Sequence, residues 1–174
     1  MKTFYYTPPK LKASTQRIEV KDEQGNVSCT FRRIYPNALV KWGNVIFDID
    51  WSASVEVYSS EGQPIFQCSK KTPWIGKPEY FVKNNRTQDT FRVTYTTWQK
   101  VAPEFKVTHR DQEYVVKKDL FDWAKFMQSG EVLAKWQMKP SEWFKVRLEI
   151  EADCPIQEPG FFVALFQSIF YIGD

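Results

Sequence analysis

A closed antiparallel β-barrel around a buried C-terminal helix is the fold class that this sequence predicts, and three observations predict it. Apolar and polar residues alternate with a period of two through most of residues 16 to 151, the mark of strands with one wet face. The run from Phe161 to Ile172 is apolar on every side, yet as an α-helix it would extend roughly 18 Å, well short of the ~20 residues that cross a bilayer. The chain is also rich in core material, with 43% hydrophobic and 17% aromatic residues in 174. That length accommodates one domain, residues 1 to 174, with a sizeable core. An all-round apolar helix has to be buried on all sides. A barrel surrounds it with inward-facing side chains from every strand and leaves no sheet edge exposed.

The cleanest alternation is "WFKVRLEIE", which puts Phe144, Val146, Leu148 and Ile150 on one face and Trp143, Lys145, Arg147, Glu149 and Glu151 on the other. "TFRVTYTT" (90 to 97) aligns Phe91, Val93 and Tyr95, and "EVLAKWQM" (131 to 138) aligns Val132, Ala134, Trp136 and Met138. Further strands are predicted over 16–20, 27–35, 45–50, 54–58, 64–69, 79–83, 104–109 and 112–118. The segments between them, "DEQGN", "SSEGQP", "KNNRTQD" and "QSGE", hold the Gly, Asn and Asp residues that turns favour. Residues 120 to 127 fit either a strand or a short helix, since Leu120, Ala124 and Met127 also share a helical stripe. Pro159 suits the first turn of the terminal helix, and no turn residue interrupts the run until Gly173. Ala164 and Ser168, four apart, give that helix one slim face.

Composition excludes several function classes. A net charge of +3, with acids interleaved among the bases, is not that of a nucleic-acid binder. Cys29, Cys68 and Cys154 are widely spaced and odd in number, which fits a reducing cytosol and forms no zinc or redox pair. "MKTFYYTPPKLKAS" contains no apolar stretch of signal-peptide length, so a cytoplasmic protein is expected. Asn85-Arg86-Thr87 is accordingly read as a polar turn instead of a glycosylation site.

The stretches "STQRIEVKDEQGNVSCTFRRIY", "GKPEYFV", "TYTTWQKVAPEF", "FDWAKF" and "EWFKVRLEIEADCPIQEPGFFVALFQSIFYIGD" resemble the tubby C-terminal-like family, whose fold is shared by tubby proteins, phospholipid scramblases and LURP-one-related proteins. They are most similar to its small members from Bacillus-type bacteria. The resemblance covers nearly the whole chain. It implies a barrel of about 12 strands threaded by the helix at 159–172, and a strand rather than a helix near 120–127. For function it implies an association with membrane lipid, which is an analogy of fold.

No nucleophile signature, glycine-rich phosphate loop or metal-ligand spacing is present, so the expected protein is not an enzyme and uses no cofactor or metal. His109 reads as a strand-end residue, and Asp48 and Asp50 as the wet side of a strand backed by Phe47, Ile49 and Trp51. Glu151, Asp153 and Glu158 lead into the positive end of a helix dipole. The basic residues are the informative set. Arg32 with Arg33, Lys70 with Lys71 and nearby Lys77, and Lys117 with Lys118 form pairs. If closure brings them to one rim beside an exposed aromatic such as Trp74, they suit an anionic headgroup. The expected headgroup residues are Arg32, Arg33, Lys70, Lys71 and Lys77. The expected function is a non-enzymatic module, monomeric by default, at the inner membrane face, with anionic phospholipid or a membrane-associated protein as partner. A cytoplasmic protein-interaction or small-ligand scaffold without a membrane role is the alternative.

Overall fold

The computed structural model describes residues 1–9, 14–35, 53–97, 102–118, 123–139 and 144–171. Its strands are β1 (Lys2–Tyr6), β2 (Ile18–Asp22), β3 (Val27–Ile34), β4 (Ser54–Ser59), β5 (Pro64–Lys71), β6 (Glu79–Asn84), β7 (Thr90–Tyr95), β8 (Glu104–His109), β9 (Gln112–Lys117), β10 (Ala124–Gln128), β11 (Glu131–Lys139) and β12 (Lys145–Ile150). Each pairs antiparallel with its sequence neighbours, and β1 pairs with both β2 and β12, closing a twelve-stranded barrel. The ambiguous segment near 120–127 is strand β10 from Ala124 onward, and β2 starts two residues later than the alternation suggested. The strand expected at 45–50 lies outside the described residues. β1 was not legible beforehand: five residues before Pro8 and Pro9 show no clean alternation, and Thr3, Phe4 and Tyr6 are all buried. It becomes a strand because β12 offers it an edge through five register pairs.

Antiparallel order gives the barrel two different ends. Short connections at 23–26, 60–63, 85–89, 110–111 and 129–130, together with the approach to the helix at 151–158, lie at one end, here the turn end. The β10–β11 turn places Ser129 and Gly130 at φ 51° and 89°, the left-handed pair that a two-residue hairpin needs. The strand ends at Tyr6, Ile18, Ile34, Ser54, Lys71, Glu79, Tyr95, Glu104, Lys117, Ala124, Lys139 and Lys145 lie at the opposite end, the rim.

The helix enters at the turn end and runs toward the rim. Its first part is α1 (Pro159–Phe166), and Gln167–Tyr171 continue as a π-helix, where the sequence suggested α-helix to residue 172. Every residue from Gly160 to Phe170 is buried. Gly160 meets β4 and β5 so closely that a Cβ there would lie 3.1 Å from Val57 Cγ1 and from Phe66 Cδ2. Ser168, eight residues on, faces the Cys68 thiol of β5. On the other side Phe162, Phe166 and Phe170 stack in series, and Phe166 and Phe170 each stack on Trp136 of β11. The helix thus lies off-centre, its slim stripe against β4 and β5 and its phenylalanine stripe filling the wider side.

The wall alternates as the sequence indicated. Val146, Leu148 and Ile150 are buried inside, while Arg147 and Glu149 pair at 2.6 Å on the other face. Phe144 departs from that pattern. It is 43% exposed with φ at 61°, so the backbone turns out of the strand just before β12 instead of continuing the inward row. A barrel in lipid is apolar outside and polar within; this one is charged outside and apolar within. No helix of the described residues is long and apolar enough to cross a membrane.

Candidate functional site: a basic rim

In the chain's topology the expected headgroup residues all lie toward the rim end of the barrel. Arg32 and Arg33 lie at the last turn of β3, Lys70 and Lys71 end β5, Lys77 sits in the β5–β6 connection, and Lys117 and Lys118 end β9. Their surroundings differ. Arg32 stands on the outer wall, 3.5 Å from Glu56 and 5.3 Å from the centre of the Tyr58 ring. Arg33, one residue on, points inward and is 2% exposed, so it belongs to the barrel interior and is out of reach of a headgroup. Lys70 is half-buried and Lys71 exposed. Lys77 donates to the Thr97 carbonyl at 2.8 Å and lies 5.5 Å from the Tyr95 ring. Lys117 pairs with Glu104 at 3.0 Å. Lys118 reaches over the barrel mouth, 5.2 Å from the ring of Phe170 and 5.8 Å from that of Trp136. A cation there also faces the negative end of the helix dipole.

Two further cations at this end escaped sequence reading. Arg17 precedes β2 and stacks 4.3 Å over Tyr58, and Lys145 opens β12 and lies 4.7 Å over Tyr5. Both line a groove of about 620 Å³ beside the β1–β2 seam, whose ladder covers just Phe4↔Asp22 and Tyr5↔Lys21. Nothing in the sequence pairs Arg17 with Lys145; barrel closure does. Three acids toward the rim are already engaged, Glu56 with Arg32, Glu104 with Lys117, and Glu79 with Arg92 through a two-point contact at 2.6 and 3.3 Å. The Arg92 guanidinium holds the Glu79 carboxyl below its usual range.

The turn end has the opposite character. Asp22, Glu23, Glu61, Asp89, Asp111, Glu131, Glu151, Asp153 and Glu158 all occupy it or border it, against Lys2, Lys21, Lys83, Arg86 and Arg110. Those two arginines approach acids, Arg86 at 4.0 Å from Glu158 and Arg110 at 2.7 Å from Asp89. Among the described residues charge is therefore sorted, basic toward the rim and acidic toward the turns.

The remaining candidates have structural settings. His109 stacks on Phe91 at 4.2 Å and shares Asp89 with Arg110. Glu158 is the helix N-cap residue and makes no side-chain cap bond. Asp48 and Asp50 lie outside the described residues. Among the described residues, no three His, Cys, Asp or Glu side chains converge as a metal site would. Of the tryptophans, Trp136 is buried and Trp74 is 100% exposed, next to Ile75 at 88%.

A closed antiparallel barrel sheathing a hydrophobic C-terminal helix defines the tubby-like class of protein modules. The chain belongs to the family described as the Tubby C-terminal like domain, whose model matches residues 4–172. Comparison with curated proteins and with solved structures returned no match.

Proposed function

We propose that this protein is a non-enzymatic, cytoplasmic barrel module that docks peripherally on anionic phospholipid through its rim. The observation that carries this reading is the sorting of charge by barrel topology, with Arg17, Arg32, Lys70, Lys71, Lys77, Lys118 and Lys145 toward one end and the acids of the turns at the other. An anionic leaflet attracts each nearby Lys or Arg by about 1 kcal/mol and repels the acidic end, so the field orients the molecule as well as binding it. Arg33 has a different role in this reading: its charge is buried, within electrostatic reach of Tyr6. Vesicle co-sedimentation tests the proposal, comparing phosphatidylcholine alone with phosphatidylcholine containing phosphatidylglycerol at low and high salt. Salt-sensitive binding to the anionic vesicles is expected; equal binding to both, or none, would refute it.

A protein partner is the second reading, favoured by the full exposure of Trp74, since tryptophan is enriched where partners bind tightly. A salt-insensitive partner recovered by pull-down, with no vesicle binding, would select it.

A further inference from the structure

Three large apolar side chains stand exposed near the rim: Trp74 and Ile75 in the β5–β6 connection and Phe144 just before β12. In the strand order, the gap between β5 and β6 and the start of β12 lie on opposite sides of the twelve-stranded ring. Both positions are flanked by cations, Lys71 and Lys77 on one side and Lys145 on the other. Exposed tryptophan, isoleucine and phenylalanine beside lysine is the composition that settles at a bilayer interface, rings at headgroup level and ammonium groups among the phosphates. A water-facing function gives these residues no reason to be there, and among the described residues no other aromatic side chain is exposed to this degree. Phe144 shows this most directly: its backbone leaves the strand with φ at 61°, a conformation unusual for a bulky residue, and the ring moves from the inward row to the surface.

We infer that Trp74 and Ile75 on one side, and Phe144 on the other, insert into the interfacial layer of an anionic bilayer and hold the barrel rim-down, with its acidic turn end facing away. This rests on the anionic-lipid reading above and adds to it a depth, an orientation and three residues that carry no charge. Two anchors across the ring resist tilting, which a single loop could not do. Charge alone would leave the protein hovering at the surface and wholly salt-reversible, whereas apolar insertion leaves part of the binding intact as salt rises.

The test uses the full chain with a single cysteine introduced for labelling. Cys29, Cys68 and Cys154 are buried, and burial pushes the Cys29 and Cys68 thiols up to about 12, so a maleimide-linked environment-sensitive fluorophore should react with the introduced cysteine alone. Ile75→Cys and Phe144→Cys report the rim, and Glu61→Cys reports the turn end. With vesicles of equal parts phosphatidylglycerol and phosphatidylcholine, the labels at 75 and 144 are expected to shift to the blue and the label at 61 to stay unchanged. The unlabelled variant Trp74→Ala/Ile75→Ala should keep its melting temperature and lose about tenfold or more in vesicle affinity. Co-sedimentation of the wild-type chain without a shift at 75 and 144 would overturn insertion while leaving the electrostatic reading standing. A shift at 61 would overturn the orientation. No co-sedimentation of the wild-type chain would sink the lipid reading and this inference with it.

Discussion

Tyr6 shows how much one residue can fix inside a closed barrel. Its hydroxyl accepts a hydrogen bond from Trp136 Nε1 at 2.8 Å and another from Gln167 Nε2 at 3.0 Å, tying β1, β11 and the π-helical turn together. Burial pushes its phenol well above the usual range, so it stays neutral. Tyr6→Phe leaves two buried donors without that acceptor and is expected to cost about 2 to 4 kcal/mol in urea unfolding, with a changed near-ultraviolet tryptophan signal. Asp89 makes a complementary case at the surface. The Thr87 hydroxyl, then His109 and Arg110, pull its carboxyl down from 3.8 to about 2. The folded state therefore binds this proton more weakly than the unfolded state does. The contribution is full above about pH 4 and is lost as the pH falls through about 2. Asp89→Asn is expected to be less stable than the parent at neutral pH, with the two curves converging in that acid window when unfolding is followed against pH.

At the scale of elements, the terminal helix is the inner wall on which the barrel closes. Phe166 and Ile169 are buried at its centre and rim-side turn. Replacing either with Asp puts a charge in an apolar interior, a cost of several kcal/mol against a total stability of about 5 to 15. Both variants are expected to be insoluble or to unfold without cooperativity; a soluble, cooperatively folded product would show that the barrel stands without its helix. Gly160 tests the helix start. The Gly160→Ala methyl would lie 3.1 to 3.2 Å from Val57, Phe66 and Ile65 at once. Overpacking of that kind costs about 1 to 3 kcal/mol, and the gain in helix propensity offsets up to ~1 of it. A net loss of about 1 kcal/mol in thermal unfolding is expected. These features differ in how far the sequence revealed them. β12 and its neighbours were legible because Val146, Leu148 and Ile150 alternate with charge. β1 was not, because Thr3, Phe4 and Tyr6 read as a strand only beside β12. Phe144 fitted the alternation perfectly and still left it, since its own backbone, at φ 61°, turns outward just before β12.

For the molecule as a whole, the separation of charge between rim and turns matters more than the net value. Lys71 and Lys145, both exposed, stand on opposite sides of the rim, and Lys83 lies toward the turn end. The pair Lys71→Glu/Lys145→Glu is expected to weaken low-salt binding to anionic vesicles by on the order of a hundredfold. Lys83→Glu carries a smaller change in the same net charge and should leave binding nearly unaltered. Equal damage per charge from both variants, measured by co-sedimentation, would mean that net charge alone governs the interaction.

The sequence by itself determined that this chain forms strands with one wet face and a helix that has to be buried. Both conclusions follow from periodicity, which is local: a period of two or an all-round apolar run can be read without knowing what it touches. It also contained the basic pairs, and it could state the condition under which they would matter. Which end of the barrel each pair occupies was decided by the tertiary structure, because antiparallel closure sends alternate strand ends to opposite ends and thereby sorts charges that lie far apart in the chain. The same closure brought Arg17 to the groove that Lys145 also lines, recruited β1 to the seam, and left Trp74 and Phe144 exposed across the ring from each other. Each of these depends on which residues become neighbours in space, and spacing along the chain does not encode that.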